Sequence, residues 1–555
     1  MPVSDLVRTL LSKRGIEDAD TFLNPSYDNH LHNPLLLSDM QKAIERFFVA
    51  IEKKEHIAVY TDFDCDGLGS ATVFHDFLKK IGYQSFEIYM PHRDIEGYGF
   101  HASAVRKLCE RGTTLIITAD VGISGHEGVE AARFLGCDVI ITDHHEVMIG
   151  APNALAVVNP KLSEYPFPHL CGAAVAYKFV QAAIAEGKHR EMSQFLSISE
   201  GWEKWLLDVV AIATIADMVP LVGENRALVH YGLRVLRQSR RVGLRALAES
   251  ARLRLPAATE DDVGFSIAPR LNAASRMDNP ELAFHLLTTL ERAEADRLAK
   301  TLEQLNAKRK GVVASIVKEA KKRARERFEN ESITVLGDPS WKPALLGLAA
   351  NSVMAERGGV VCLWGRDAAG NVKGSCRSDG SVSLAALFTE ASGAFLQFGG
   401  HAHAGGFSVS GEGVHALQAR LAEAMKHIQT KTKEKESVSH DVSLPLSLLH
   451  ESTLRDISRL SPFGVGNHKP IFHVPESRVV EVRRFGKEKN HVEVTLECPQ
   501  SGRRVRSFDF FKSPSSFTLC PEAGSNVRAL VTLERDTFAG RDSLALRIID
   551  FLPPC

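Results

Sequence analysis

HIAVYTDFDCDG (56–67), TLIITADVG (114–122) and DVIITDHHE (138–146) share one design, a short run rich in Ile, Val and Thr that stops at an acidic or histidine-bearing turn. VVAIATIADMVPL (209–221) repeats it and stops at Asp217. Such runs read as strands buried on both faces, as in a parallel sheet covered by helices. In these sheets the ligand crevice lies outside the carboxyl ends of the strands. The pattern therefore predicts that Asp62, Asp64, Asp66, Asp120, Asp143, His144, His145 and Asp217 reach one rim. So many carboxylates need a counter-charge, because like charges at close range disfavour joint ionisation. Two divalent cations supply it most simply.

Oxygen ligands with one or two imidazoles and no thiolate suit manganese or magnesium better than structural zinc. In TDFDCDG the alternation of Asp62, Asp64 and Asp66 along an extended turn would bring carboxylates in from different directions, with Gly67 relieving the backbone. Two ions about 3.5 to 4 Å apart clamp the attacking and leaving oxygens of phosphate displacement, so phosphoester hydrolysis is the reaction expected. Asp120 is the expected bridging ligand and catalytic centre, with Asp62, Asp64, Asp66, His144 and Asp217 completing the metal set. His145 is placed as acid or electrostatic stabiliser, and Asp143 as the group that orients an imidazole from behind. A lone Asp-x-Asp is more often a turn or a calcium loop. The coincidence of four acid-bearing ends is what favours the metal reading.

Composition sets outer limits. A chain of 555 residues at 44% hydrophobic content has material for several packed cores. The net charge of -1 gives no whole-chain signature of nucleic-acid binding, though local basic patches remain compatible with it. Nine scattered cysteines without a Cys-x-x-Cys pair argue for a reducing compartment and against zinc fingers. MPVSDLVRTLLSKRG is broken by charge too early for a secretory leader, and WLLDVVAIATIADMVPLV holds two aspartates, so a soluble cytoplasmic protein is expected.

Further along, LVRTLLSKRG and MQKAIERFFVAIEKK read as helices, and strand and helix then alternate to about 160. Residues 170–290 read as mainly helical, including CGAAVAYKFVQAAIAE and the segment that ends at Asp217. Leu298, Leu302, Leu305, Val312 and Ile316 predict one apolar seam on a long charged helix joining two lobes. The basic runs Lys308 to Lys310 and Lys321 to Arg325 read as its solvated face. SITVLGD opens a second α/β lobe that ends near His427, and the polar stretch QTKTKEKESVSHD reads as a linker. HVEVTLE, VRALVTLE and LALRIIDF then suggest a small barrel of about five strands. Arg483, Arg484, Lys487 and Lys489 flank HVEVTLE, and Phe508, Phe510 and Phe511 either stack bases or, for most of them, fill the core.

DFDCDG, TADVG, TDHHE and ADMVPL, in this order, resemble the four motifs of the DHH phosphoesterases, named for the Asp-His-His found here at 143–145. The likeness runs end to end, and most closely to the large members specific for single strands. It also takes in LLSKRGIEDADTFLNPS, RKLCERG, PHRDIEGYG, IAPRLNAASR, GSCRS, GGHAHAGGF and SPFGVGNHKPIF. The resemblance implies a parallel-sheet α/β DHH domain (51–289) after an N-terminal helical extension (1–50). A connecting helix (290–330), an α/β DHH-associated domain (331–427), a linker (428–440) and an OB-like barrel (441–555) would follow. It implies 5′ to 3′ degradation of single-stranded DNA to mononucleotides in repair and recombination, with two Mn2+ or Mg2+ ions. Single-strand binding protein and a helicase are the implied partners of a monomer with no membrane contact. Strand and terminal-phosphate contacts would fall to Arg93, Arg276, Ser375, Arg377, His401, Gly399 and Gly400, although GGHAHAGGF read alone favours a tight turn between strand and helix.

Departures from the family pattern are Ser275 for Gly, Lys342 for His, His92 for Asn and His468 for Pro. Two other readings stand beside the exonuclease. One is a phosphodiesterase of very short oligonucleotides, which the extra barrel disfavours. The other is a non-catalytic DNA-binding scaffold, which the intact acidic motifs disfavour.

Overall fold

Strands β1 (His56–Thr61), β2 (Phe86–Tyr89), β3 (Thr113–Ala119), β4 (Asp138–Thr142) and β5 (Ala156–Val158) form an all-parallel sheet in the order β2-β1-β3-β4-β5. The computed structural model describes residues 4–147, 150–329, 331–428, 439–486, 489–536 and 543–554. Because parallel neighbours need crossovers, helices cover both faces, and almost every residue of β1, β3 and β4 is buried. Phe47, Phe77, Phe179 and Phe195 pack among the helices Met40–Lys53, Cys65–Lys80 and Gly172–His189. Phe100, Val105, Leu108 and Val129 belong to a second cluster with Tyr60 and Ile116 of the sheet.

The fourth apolar run follows the helical reading of 170–290 and not the strand pattern of the first three. Residues Leu207–Ala216 are an α-helix, buried from Leu207 to Thr214. A segment that is apolar all round carries no period, so a short buried helix and a buried strand look alike in sequence.

The chain forms two compact units, residues 32–219 with 231–434, and residues 1–31 and 220–230 with 435–555. The first unit also holds the 37-residue helix Arg292–Phe328, about 55 Å long at the usual rise per residue. Its buried seam is Ala295, Leu298, Ala299, Leu302, Asn306, Ile316, Ala320 and Ala324. Leu305 and Val312 are only half-buried, and a polar residue, Asn306, stands in the seam instead.

Strands β6 (Ile333–Gly337), β7 (Val360–Arg366), β8 (Val372–Ser378), β9 (Gln397–Gly400) and β10 (Ala404–Val409) build a second sheet in the order β6-β7-β8-β10-β9. Cys362 and Cys376 face each other across β7 and β8 and are joined by a disulfide. The scattered cysteines gave no sign of this pairing, because it is set by antiparallel register and not by local spacing.

In the other unit, β11 (Val442–Ser443), β12 (Phe472–Phe485), β13 (His491–Glu497), β14 (Arg504–Asp509), β15 (Asn526–Asp536) and β16 (Ser543–Leu552) run in the order β11-β12-β13-β14-β16-β15. Pairing of β12 with β15 closes the barrel. Val7, Leu10 and Leu11 of the helix Asp5–Lys13 pack on Leu460 in the same unit. The linker expected at 428–440 lies, apart from its ends, outside the described residues, as does Lys487. No helix among the described residues is long and apolar enough to cross a membrane.

Candidate metal centre

The strand order reverses between β1 and β3, which makes the crevice beyond their carboxyl ends the natural ligand site of this sheet. Asp62 follows β1, Asp120 follows β3, and Asp143 to His145 follow β4. Asp64 caps the helix Cys65–Lys80 by accepting from the amides of Asp66 (2.9 Å) and Gly67 (3.3 Å). The segment is therefore not the extended turn expected, since this cap turns the chain helical at Cys65 and places Asp66 in the first turn. Gly67 has a steric reason, as a Cβ there would lie 2.2 Å from the carbonyl oxygen of Asp62.

Asp66 accepts hydrogen bonds from the amides of Gly172 and Ala173, both at 2.7 Å, at the start of the helix Gly172–His189. A carboxylate is favoured there by the free N–H groups and the helix dipole. Asp120 holds the left-handed conformation at φ 63°, and its amide donates to the Thr142 carbonyl at 3.0 Å. Gly172 makes room for it, because a Cβ there would lie 2.5 Å from the Asp120 Cβ. Asp217, at the end of the helix Leu207–Ala216, completes the ring of carboxylates.

His144 stands among them. Its Nε2 lies 3.2 Å from Asp120 Oδ1, 3.5 Å from Asp66 Oδ2 and 3.8 Å from Asp217 Oδ2. Asp62 with Asp64 and Asp120, Asp66 with His144 and Asp217, and Asp120 with His144 and His145 each bring ligand atoms within 4.8 Å of one another. Asp62 Oδ1, Asp120 Oδ1 and His144 Nε2 are buried without a hydrogen-bond partner. Orphaned oxygens facing an orphaned imidazole nitrogen are the donor set of a hard or borderline divalent cation.

The electrostatics follow from the crowding. Burial and then the neighbouring Asp64 push Asp62 up to about 8, and burial and then Asp66 push Asp217 up to about 8. Asp66 rises only to about 6, since the amides of Ala173 and Gly172 oppose its burial. Asp120 is raised well above the carboxylate range by burial and by Asp66. Burial and then His145 push His144 down to about 3, so its imidazole is neutral.

Asp143 is not among the facing donors. Fully buried, it accepts from the amides of Ile123 (2.9 Å) and His144 (2.7 Å) and from Nδ1 of His145 (2.8 Å). Burial works against it, but the bond to His145 and the charges of both imidazoles hold it down to about 2. Against its own burial, His145 is raised to about 9 by the same bond.

Two of the expected strand-contacting residues, Arg93 and Arg276, flank DFDCDG. Arg93 sits over the Phe63 ring at 4.7 Å. Arg276 donates to the Ala344 carbonyl at 2.7 Å, and burial, then Arg93, pull it down to about 9 against the pull of Asp64. Ser375 and Arg377 are half-buried on β8, with Arg377 so close to the helix Pro343–Arg357 that a Cβ on Gly347 would meet its Nη2 at 2.7 Å. Gly399 and Gly400 end the exposed edge strand β9, and exposed His401 follows. Gly400, at φ 146°, is required by the turn itself, since a Cβ would lie 2.4 Å from the Ala404 carbonyl oxygen.

Sequence reasoning missed several supports. Asn272 accepts from the Cys65 amide at 2.9 Å, so IAPRLNAASR braces DFDCDG. Tyr98 places its hydroxyl 3.5 Å from His145 Nδ1. The glycine opening GAAVAY was the available sign of the Asp66 cradle. On the barrel, Phe508 is buried but Phe510 and Phe511 are 41% and 79% exposed, which corrects the assignment of most of these rings to the core. The two exposed rings follow the end of β14, where the core-facing alternation has stopped.

A parallel sheet that gathers Asp62, Asp120 and the Asp143 to His145 run at its switch point is the architecture of the DHH class, and residues 56–214 match the model of the DHH family, N-terminal domain. Residues 330–429 match the DHHA1 domain and 440–550 the RecJ OB domain. The single-stranded-DNA-specific exonuclease RecJ of Haemophilus influenzae is 31% identical over 94% of this chain and 92% of its own length. That of Bacillus subtilis is 34% identical over 90% of this chain, which spans only 62% of that relative's length. Thermus thermophilus RecJ in complex with Mn2+ matches the fold with a TM-score of 0.82 at 27% identity, over 100% of this chain and 76% of its own. By these likenesses the chain belongs to the RecJ family.

Proposed function

We propose that the protein is a metal-dependent exonuclease that degrades single-stranded DNA from the 5′ end to mononucleotides. The observation that carries this reading is the ring of Asp62, Asp66, Asp120, His144 and Asp217, in which Asp62 Oδ1, Asp120 Oδ1 and His144 Nε2 are buried without hydrogen-bond partners. Two Mn2+ or Mg2+ ions held there would lower the pKa of a water and stabilise charge on the phosphate oxygens.

The chain's own residues do the rest. Asp62, Asp64, Asp66, Asp120, His144 and Asp217 hold the ions. Asp143 fixes the ring of His145, which stays protonated at neutral pH and offers positive charge, or a proton, to the phosphate. Arg93, Arg276, Ser375, Arg377, Gly399, Gly400 and His401 hold the strand, with the arginines gripping phosphate in bidentate fashion. Residues 51–289 act as the catalytic domain, 331–427 as the second wall of the path, and 441–555 as a nucleic-acid-binding barrel. The setting is cytoplasmic DNA repair and recombination, by a monomer supplied with single strands by a helicase and single-strand binding protein.

Strands labelled at either end and incubated with the purified protein and Mn2+ test the reading. Label release should begin at the 5′ end of single strands, with blunt duplex resistant. Digestion from the 3′ end, or equal cutting of duplex, would sink the polarity and strand assignments.

A further inference from the structure

The long helix Arg292–Phe328 carries basic residues whose surroundings differ. Lys321 and Arg325 both pair with Glu356. Lys308 and Lys310 are exposed. Arg309 between them is half-buried, and its Nε and Nη2 both donate to the Oδ1 of Asn306, at 3.3 and 2.9 Å.

Asn306 is itself the polar residue in the apolar seam. It is 1% exposed, and its Nδ2 has no hydrogen-bond partner. Burying a carboxamide with half its capacity unmet is unfavourable. What the position gains is a fixed guanidinium one turn along the helix.

Arg309 has no carboxylate partner among the described residues. The charges that reach it or that it affects are cationic: it feels Arg270, which is committed to Glu303 at 2.5 Å, and its own charge is felt by Arg276. Arg276 in turn feels Arg93 and Asp64, and among the described residues its hydrogen bond is to the Ala344 carbonyl. Arg93 sits over Phe63 of DFDCDG, and the helix Ala268–Met277 that carries Arg276 meets Cys65 through Asn272. Arg270 of that helix pairs with Glu303, one turn before Asn306 on the long helix, and none of Arg93, Arg276 and Arg309 has a salt-bridge partner among the described residues. Arg93 and Arg276 are offset in part by Asp62 and Asp64. Arg309 feels no such carboxylate, and a half-buried guanidinium is costly until an anion joins it. A chain of phosphates entering an acidic, ion-binding centre from a basic flank meets that requirement.

We propose that Arg309, pinned by Asn306, binds a backbone phosphate of the substrate strand, so that the connecting helix is part of the strand path as well as a spacer. The inference rests on the reading of the protein as a nuclease of single strands. Arginine's planar fork suits this position, since two of its nitrogens are held by Asn306 while others stay available to phosphate oxygens.

The test compares the full-length wild type with Arg309→Ala, Arg309→Lys and Asn306→Leu, using a single-stranded oligonucleotide and Mn2+. Arg309→Ala should raise KM on the order of tenfold, much more than it lowers kcat. The slope of log affinity against log salt should fall by about 0.7, the value of one single-strand phosphate contact. Arg309→Lys should restore the salt slope but only part of the KM, and Asn306→Leu should raise KM in the same direction. Wild-type KM and salt slope in Arg309→Ala would overturn the proposal. Should that variant fail to fold, wild-type KM in Arg309→Lys would overturn it instead. If the wild type neither binds nor degrades the strand, the nuclease reading fails and takes this inference with it.

Discussion

The Nδ1 of His145 lies 2.8 Å from Oδ1 of Asp143, and that carboxyl group is completely buried. The same carboxylate accepts the amides of Ile123 and His144, so one side chain holds the loop after β4 and sets the orientation of the imidazole at its edge. Asp143→Asn keeps the shape but replaces one acceptor oxygen by a donor. Activity should fall by about 10 to 100-fold, the usual effect of losing a group behind a metal site. The pH–rate profile should shift as well, because the raised value of His145 depends on that charge. An unshifted profile would show that Asp143 serves the loop alone.

Asp120→Ala and His144→Ala each remove a ligand atom from the middle of the cluster. Turnover should be lost in both, while binding of a labelled single strand, measured by fluorescence anisotropy, should remain largely intact. Wild-type rates in either variant would refute the assigned centre.

Metal-free protein should lose stability as pH rises from about 6.5, the free value of histidine, to 8. Asp62 and Asp217 are raised to about 8, so in this window the folded state binds more protons than the unfolded state, and stability falls with rising pH. His145, raised to about 9, acts in the same direction as its stabilising proton is lost. His144, lowered to about 3, has the opposite slope, but only below its free value, which sets the lower edge of the window. Thermal unfolding in chelator should show Tm decreasing across this range, and Mn2+ should raise Tm more at pH 8 than at pH 6.5. A Tm that rises with pH in chelator would contradict the crowding described.

The barrel offers an aromatic platform. Phe510 stands over Phe485 and His491 at ring distances of 5.9 and 5.2 Å, with the Arg547 guanidinium 4.5 Å above it. Phe510→Ala and Phe511→Ala should each weaken single-strand affinity by about 1 to 3 kcal/mol, with little loss in Tm, if a base stacks there. Equal affinity in titrations of both variants would remove the platform from the strand path.

The parallel sheet was legible because Ile, Val and Thr runs ending in acids are the direct signature of buried strands reaching a rim. Asp217 arrives at that rim by a different route, at the end of a helix that the mainly helical reading of 170–290 takes in. The role of Asp64 as a helix cap was hidden because capping depends on where the backbone turns, and alternating aspartates also fit an extended loop. The environment of Arg309 could not be read at all, since a Lys-Arg-Lys run on a charged helix looks solvated until the packing of Asn306 is known. Cys362 and Cys376 belong to the same class of blind spot, being neighbours only through strand register.

The two amides that Asp66 accepts open the helix Gly172–His189, most of which is buried in the layer behind the sheet. A single negative charge is thereby shared between the ion-binding ring and the first turn of a structural helix. Chemistry and architecture are coupled at that point, so loss of the Asp66 carboxylate, unlike loss of Asp120 or His144, should cost rigidity deep in the scaffold as well as turnover.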